Sequence, residues 1–248
     1  MDLLAEKELN RASLRRHKKR PVIEFFNVCK FYGENHAIVD VSFTISKDDF
    51  ALITGPSGAG KSTIIRIIYM GETISSGSVI VDGMNLTRVT RPQIPFLRRK
   101  MGIIFQDFKL IPTKTAFDNV ALVLEAAGVR SKNIIKDRVM ASLETVGIAD
   151  RFDAYPPALS GGEQQRVAVA RAMVGEPKII LADEPTASLD PESADAIYRL
   201  LQDAHSRGTT VVVTTHDLEL IKKGGTRVIH LKSGRMVSVD NKDVWDKL

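Results

Sequence analysis

The run Gly55-Pro56-Ser57-Gly58-Ala59-Gly60-Lys61-Ser62-Thr63 constrains this chain more than any other stretch. It fits the spacing G-x-x-x-x-G-K-[ST]. It follows an apolar segment, Phe50 to Thr54, that reads as a strand, and it opens one, Lys61 to Met70, that reads as a helix. In that setting glycines let successive backbone N–H groups turn toward phosphate oxygens, and the helix N-terminus adds positive potential. Lys61 is then expected to reach the β- and γ-phosphates, and the Ser62 hydroxyl to supply a ligand to Mg²⁺. The alternative, a glycine-rich turn without consequence, fails on both spacing and context. Further β-branched, apolar runs at Ile179 to Ala182, Thr209 to Thr215 and Arg227 to Leu231 alternate with helical stretches. Continuous apolar strands between helices predict an α/β fold with a mostly parallel core sheet buried on both faces.

The rest of the chain supplies the other elements. Val22 to Val28, Phe43 to Ile45 and Met101 to Phe105 read as strands, and Val79 to Val81 reads as another that ends in an Asp82-Gly83 turn. From about Phe108 to Leu159 the texture is helical, with Val120 to Ala127 and Ile134 to Val146 the clearest pieces.

Two further groups carry chemistry. Ile179 to Ala182 ends in Asp183-Glu184. At the carboxyl edge of a parallel sheet such acids face the nucleotide crevice. Asp183 is expected to hold Mg²⁺, through water, and Glu184 to polarise the attacking water as general base. Alone, a solvated strand end would explain the pair; next to a P-loop it does not. Ser160-Gly161-Gly162-Glu163 matches a helix capping box, and the helix it opens, Gly161 to Val174, stops at Gly175 and Pro177. A well-capped helix would be the plain account, but two glycines in a first turn lower helix propensity. They make sense where a phosphate approaches the backbone.

Taken together, these motifs resemble the ATP-binding cassette (ABC) family over about Val22 to Val239. The order along the chain is complete: aromatic loop, P-loop, Q-loop, signature, paired acids, D-loop, histidine. The resemblance implies a P-loop NTPase of ABC-ATPase type, with an antiparallel β subdomain and a helical subdomain at about 107–160 inside one domain spanning 21–248. It implies that Ser160, Gly161, Gly162 and Glu163 bind the γ-phosphate of ATP held by a second subunit. One P-loop and one signature per chain then imply a homodimer. Gln106 is placed as the Q-loop glutamine, contacting Mg²⁺ and the water, and His216 as the switch histidine on the γ-phosphate. Tyr32 is placed as the ring stacked on adenine, with Phe31 beside it as the other candidate. Ser188-Leu189-Asp190 matches the D-loop at the dimer interface. ATP and Mg²⁺ are the implied cofactors.

Within the family, Leu97 to Phe108, Phe117 to Val120, Leu159 to Arg171 and Leu181 to Thr186 are similar to the branch that acts in bacterial cell division, although Ala187-Ser188 replaces its usual Gly-Asn pair. That likeness implies an integral membrane partner, a mechanical effect on cell-wall hydrolases, and a peripheral place on the cytoplasmic face of the membrane. Lipoprotein-releasing and macrolide-type exporters share most of these stretches and remain the alternative. Phe108 and Leu110 are expected to help form a groove for the membrane partner.

Composition narrows the field. Cys29 is the only cysteine, so an internal disulfide is excluded and a reducing compartment is expected. The most apolar helical stretch, Val120 to Val129, is short and interrupted by Glu125, so no membrane span is expected. The first residues lack an apolar signal core, so secretion is not expected. Of the net charge of +5, residues 1–20 hold seven Lys/Arg and three acids, leaving the remainder near neutral. Nucleic acid is therefore not an expected partner. The basic segment reads as a solvated extension, with contact to anionic lipid as the sharper alternative.

Overall fold

Residues 20–217, 221 and 225–239 are described by the computed structural model. The basic extension expected over residues 1–20 lies outside them, apart from Arg20.

One sheet is antiparallel. Its long hairpin joins β1 (Pro21–Tyr32) to β2 (Asn35–Ser46), while β4 (Ser76–Val81) pairs with β1 and β5 (Met84–Asn85) with β4. The β4–β5 turn has positive φ at both Asp82 and Gly83, the twist a two-residue hairpin needs. The second sheet has the order β10-β9-β3-β8-β7-β6. β3 (Phe50–Thr54), β6 (Met101–Ile104), β7 (Ile179–Asp183), β8 (Thr210–Thr215) and β9 (Arg227–Lys232) run parallel, and β10 (Arg235–Val239) closes one edge antiparallel.

The apolar runs have a simple cause. In β7, Ile179 and Leu181 point into one core while Ile180 and Ala182 point into the other. In β8, Val212 faces the first core and Val211 and Val213 the second. The first core lies between this sheet, helix α1 (Lys61–Ile68) and the antiparallel sheet. The second holds α3 (Ala116–Ala126), α4 (Lys132–Thr145), α5 (Gly161–Met173) and α6 (Pro191–Ser206). A short helix, α2 (Ile94–Arg98), leads into β6. Each fully buried Ile or Val contributes about 1.5–3 kcal/mol, so both faces of the sheet hold it in place. Among the described residues no helix is long and apolar enough to cross a membrane.

Side chains set where the helices start. Thr115 accepts the backbone N–H of Asp118 at 3.1 Å and opens α3. Asn119, fully buried on the next turn, accepts from Ile111 N–H at 2.7 Å and donates to the carbonyls of Ile111, Lys114 and Thr115. That one amide fixes the chain between the Gln106 loop and α3.

β6 crosses the C-terminal part of α5 so closely that a Cβ on Gly102 would lie 2.2 Å from the Ala172 carbonyl oxygen. Gly102→Ala is expected to destabilise the fold by about 1–3 kcal/mol. The check is a lower urea midpoint at unchanged m-value.

Candidate active site

The P-loop leaves β3 at the centre of the parallel sheet and enters α1. Its glycines are required by neighbours as well as by backbone angles. A Cβ on Gly55 (φ 141) would lie 2.2 Å from the Leu231 carbonyl oxygen, and one on Gly60 (φ 102) would lie 2.6 Å from that of Ala37. Gly60 is also the residue that caps α1. Pro56, Ser57 and Gly58 form the exposed crest, while Ala59 is buried and Thr63 is half-buried on α1.

The Lys61 ammonium lies under this crest, donating to the Gly55 carbonyl at 2.8 Å and the Pro56 carbonyl at 3.2 Å. It also pairs with Glu184 Oε1 at 3.1 Å, with both side chains less than a tenth exposed. Ser62 Oγ donates to Asp183 Oδ1 at 2.9 Å. The same carboxylate oxygen accepts from Thr214 Oγ1 at 2.7 Å. Thr214 in turn accepts the backbone N–H of Glu184 at 2.9 Å. Glu184 holds φ 47, a left-handed conformation rare outside glycine. Such strain concentrates at functional sites; here it accompanies the step from strand to loop. Its second oxygen, Oε2, lies 2.9 Å from His216 Nδ1. Facing an ionised carboxylate, that nitrogen is the donor.

Thus Lys61, Ser62, Asp183, Glu184 and His216 form one connected group at the carboxyl edge of the parallel strands. Gln106, exposed after β6, lines a cleft of ≈ 650 Å³ with Ser62 and Asp183. Tyr69 lines the same cleft, and burial raises its phenol pKa. Thr214 went unnoticed in the sequence; its signal was a polar strand end, Thr214-Thr215, one strand over from the acids.

The donor set suits Mg²⁺. A hydroxyl, a carboxylate and an amide, all hard oxygen donors, converge from α1, β7 and the loop after β6. No cluster of three His, Cys, Asp or Glu able to cage a metal exists among the described residues. An ion held there would complete its shell with phosphate oxygens and water, as Mg²⁺ does.

The β1–β2 hairpin stands over the P-loop through Ala37. At its tip, Tyr32 is partly exposed with the Lys30 ammonium 4.6 Å from its ring centroid. Phe31 packs on His36 at 4.6 Å and is equally exposed. Both rings remain candidates for stacking on a base.

Ser160–Glu163 lie apart from this group. Among the described residues no hydrogen bond or ion pair ties them to the P-loop or to Glu184. The capping box is present: Ser160 Oγ accepts the Glu163 N–H at 3.3 Å and Glu163 Oε2 accepts the Ser160 N–H at 2.7 Å. The Ser160 backbone bond is the main reason the Glu163 carboxyl titrates below its usual range. Its help to the cap is therefore present above the unfolded-state value and is lost as pH falls through the lower folded value. Ser160 and Gly161 are exposed, whereas a Cβ on Gly162 would lie 2.8 Å from Ser193 Oγ. Asp190 caps α6 by accepting the Ser193 N–H at 2.9 Å. The signature glycine and the Asp190 cap therefore share Ser193 as a neighbour.

Phe108 and Leu110, expected to help form a groove for a partner, are both half-buried. Leu110 packs on the second core and the Phe108 ring faces Gly161. The exposed apolar side chains here are Ile111, Phe152 and Tyr155. Ile111 and Phe152 are bonded to the first turn of α3, through Asn119 and Phe117.

Residues 38–187 match the family model described as ABC transporter. The cell division ATP-binding protein FtsE of Streptococcus pneumoniae is 43% identical over 222 residues, covering 89% of this chain and 96% of that relative. FtsE of Escherichia coli is 42% identical over 216 residues, covering 87% and 97%. Among solved structures, the dimeric ATP-binding cassette MJ0796 in a post-hydrolysis state bound to ADP and Pi matches with a TM-score of 0.82 and 38% identity, covering 88% of this chain and 98% of that one.

Proposed function

Because this chain belongs to the ABC transporter family and is an ATPase of that family, we propose that it works as a homodimeric, Mg²⁺-dependent engine for an FtsX-like integral membrane partner in bacterial cell division. The observation that carries the hydrolytic part is the buried Lys61–Glu184 pair, joined by the exposed His216 and set beside the Ser62–Asp183 pair.

In this reading the P-loop N–H groups and Lys61 hold the β- and γ-phosphates. Ser62, Asp183 and Gln106 hold Mg²⁺, which when bound neutralises charge developing on the phosphates. Glu184 accepts a proton from the water whose oxygen attacks the γ-phosphorus as the bond to the ADP oxygen breaks. His216 keeps the Glu184 carboxylate turned toward that water. Tyr32 or Phe31 stacks on adenine. Ser160, Gly161, Gly162 and Glu163 complete the site on the opposite subunit, with Asp190 near the seam. The exposure of Ser160 and Gly161, and the separation of the segment from its own P-loop, support this assignment.

The likeness to FtsE supports the cell-division role. No solute need move: the ATP cycle would act through the partner on cell-wall hydrolases, from the cytoplasmic face. Ile111, Phe152 and Tyr155 are the surface assigned to the partner. Trapping tagged Glu184→Gln protein with ATP in gently solubilised membranes tests this. The expected companion is an integral membrane protein with an extracytoplasmic domain, together with cell-wall factors. Recovery of a lipoprotein- or drug-export partner would overturn the cell-division role and leave the ATPase intact.

A further inference from the structure

Helix α5 touches the Gln106 loop at two separate places. At its first residue, a Cβ on Gly161 would lie 3.9 Å from Cζ of Phe108. Further along, the Arg171 guanidinium donates through Nη1 to the Lys109 carbonyl at 2.6 Å and through Nη2 to the Phe108 carbonyl at 2.7 Å. The acceptors belong to an uncommon turn, since Phe108 and Lys109 hold φ of 58 and 49. Two successive non-glycine residues persist in that region only when their surroundings impose it. The exposed Lys109–Asp107 ion pair, in water, holds little.

Arg171 is largely withdrawn from water, and burial lowers its pKa. Its hydrogen bonds go to carbonyls, and no ion pair with a carboxylate is formed among the described residues. A half-buried charge without a counter-charge is a costlier way to cover a helix face than an apolar side chain, unless its hydrogen bonds are put to use.

We propose that Arg171 is a positioning residue for hydrolysis: its fork holds the Gln106 loop in the left-handed turn and fastens that loop to α5. Gln106, facing the nucleotide of its own subunit, and Ser160–Glu163, facing that of the other, then shift as one body. This rests on the reading of Gln106 as part of the hydrolytic site.

Phosphate release by the full chain is measured for Gln106→Ala, Arg171→Lys and the double variant, with ATP affinity and melting temperature alongside. Lysine keeps the stem and the charge but cannot bridge two carbonyls as a fork. Arg171→Lys is expected to lower kcat about tenfold, with ATP affinity within about twofold of the native value. Added to Gln106→Ala it should cost nothing more, because the two act as one unit. Lys109→Gly, which tolerates positive φ, should restore several-fold of the activity lost in Arg171→Lys. Native kcat in Arg171→Lys, a multiplicative loss in the double variant, or no rescue by Lys109→Gly would each overturn the proposal. Native kcat in Gln106→Ala would instead remove the reading beneath it, and the separately measured Arg171→Lys effect tells these failures apart.

Discussion

Glu184→Gln lowers kcat by about 10³-fold while ATP still binds. The amide keeps the shape of the carboxylate and its place beside His216 Nδ1 and the Lys61 ammonium. It cannot accept a proton from water at neutral pH, so the loss falls on the chemical step. The P-loop, Ser62 and Asp183 are untouched, and the nucleotide-binding groups stay in place. The change also removes the counter-charge of a buried lysine, which a bound γ-phosphate supplies again. ATP should therefore raise the melting temperature of Glu184→Gln more than that of the native chain. Single-turnover phosphate release and thermal melting with and without ATP check both parts.

Lys61→Ala acts on the same pair from the other side. It removes the cation that holds the phosphates, and ATP binding and turnover are lost together. It also leaves Glu184, 8% exposed, without its charged partner. Breaking a buried pair by removing one member costs about 3–5 kcal/mol. The variant should unfold at a clearly lower urea concentration even with no nucleotide present. Replacing both members, Lys61→Met with Glu184→Gln, should recover most of that stability and none of the activity. A double variant no more stable than Lys61→Ala would show that the pair is not what holds this part of the fold.

Much of this site was readable from spacing, because its residues sit at the ends of apolar strands. Lys61, Asp183, Glu184 and His216 each follow or end such a run, and a parallel sheet brings strand ends together. The antiparallel hairpin was harder to read. The strand expected at Phe43 to Ile45 extends over Asn35–Ser46. Its alternation is broken at Asp40, which takes φ 54 at an irregularity in the pairing with β1. Asn27, itself at φ 45, donates to the Asp40 carboxylate at 2.8 Å across the two strands. A bulge held by side chains from distant positions leaves no period to detect. β10 was missed for a related reason: Ser233 and Gly234 make a tight turn with positive φ at both, and the strand after it is short. Arg171 was invisible as a functional candidate because a lone arginine late in a helix reads as surface. Only the fold shows its guanidinium against two carbonyls of the Gln106 loop.

The central claim is that the P-loop of one copy and the Ser160–Glu163 segment of another make one working site. Mixing two inactive variants tests it most directly. Lys61→Ala leaves the Ser160–Glu163 segment intact, and Gly162→Asp, placing a charged side chain against Ser193, disables that segment while leaving the P-loop intact. Either homodimer lacks a complete site. A mixed dimer has one site with both halves native, so an equal mixture should release phosphate at roughly a quarter of the native rate under random C₂ pairing. A mixture as inactive as its parents, although shown to form mixed dimers, would contradict the shared site.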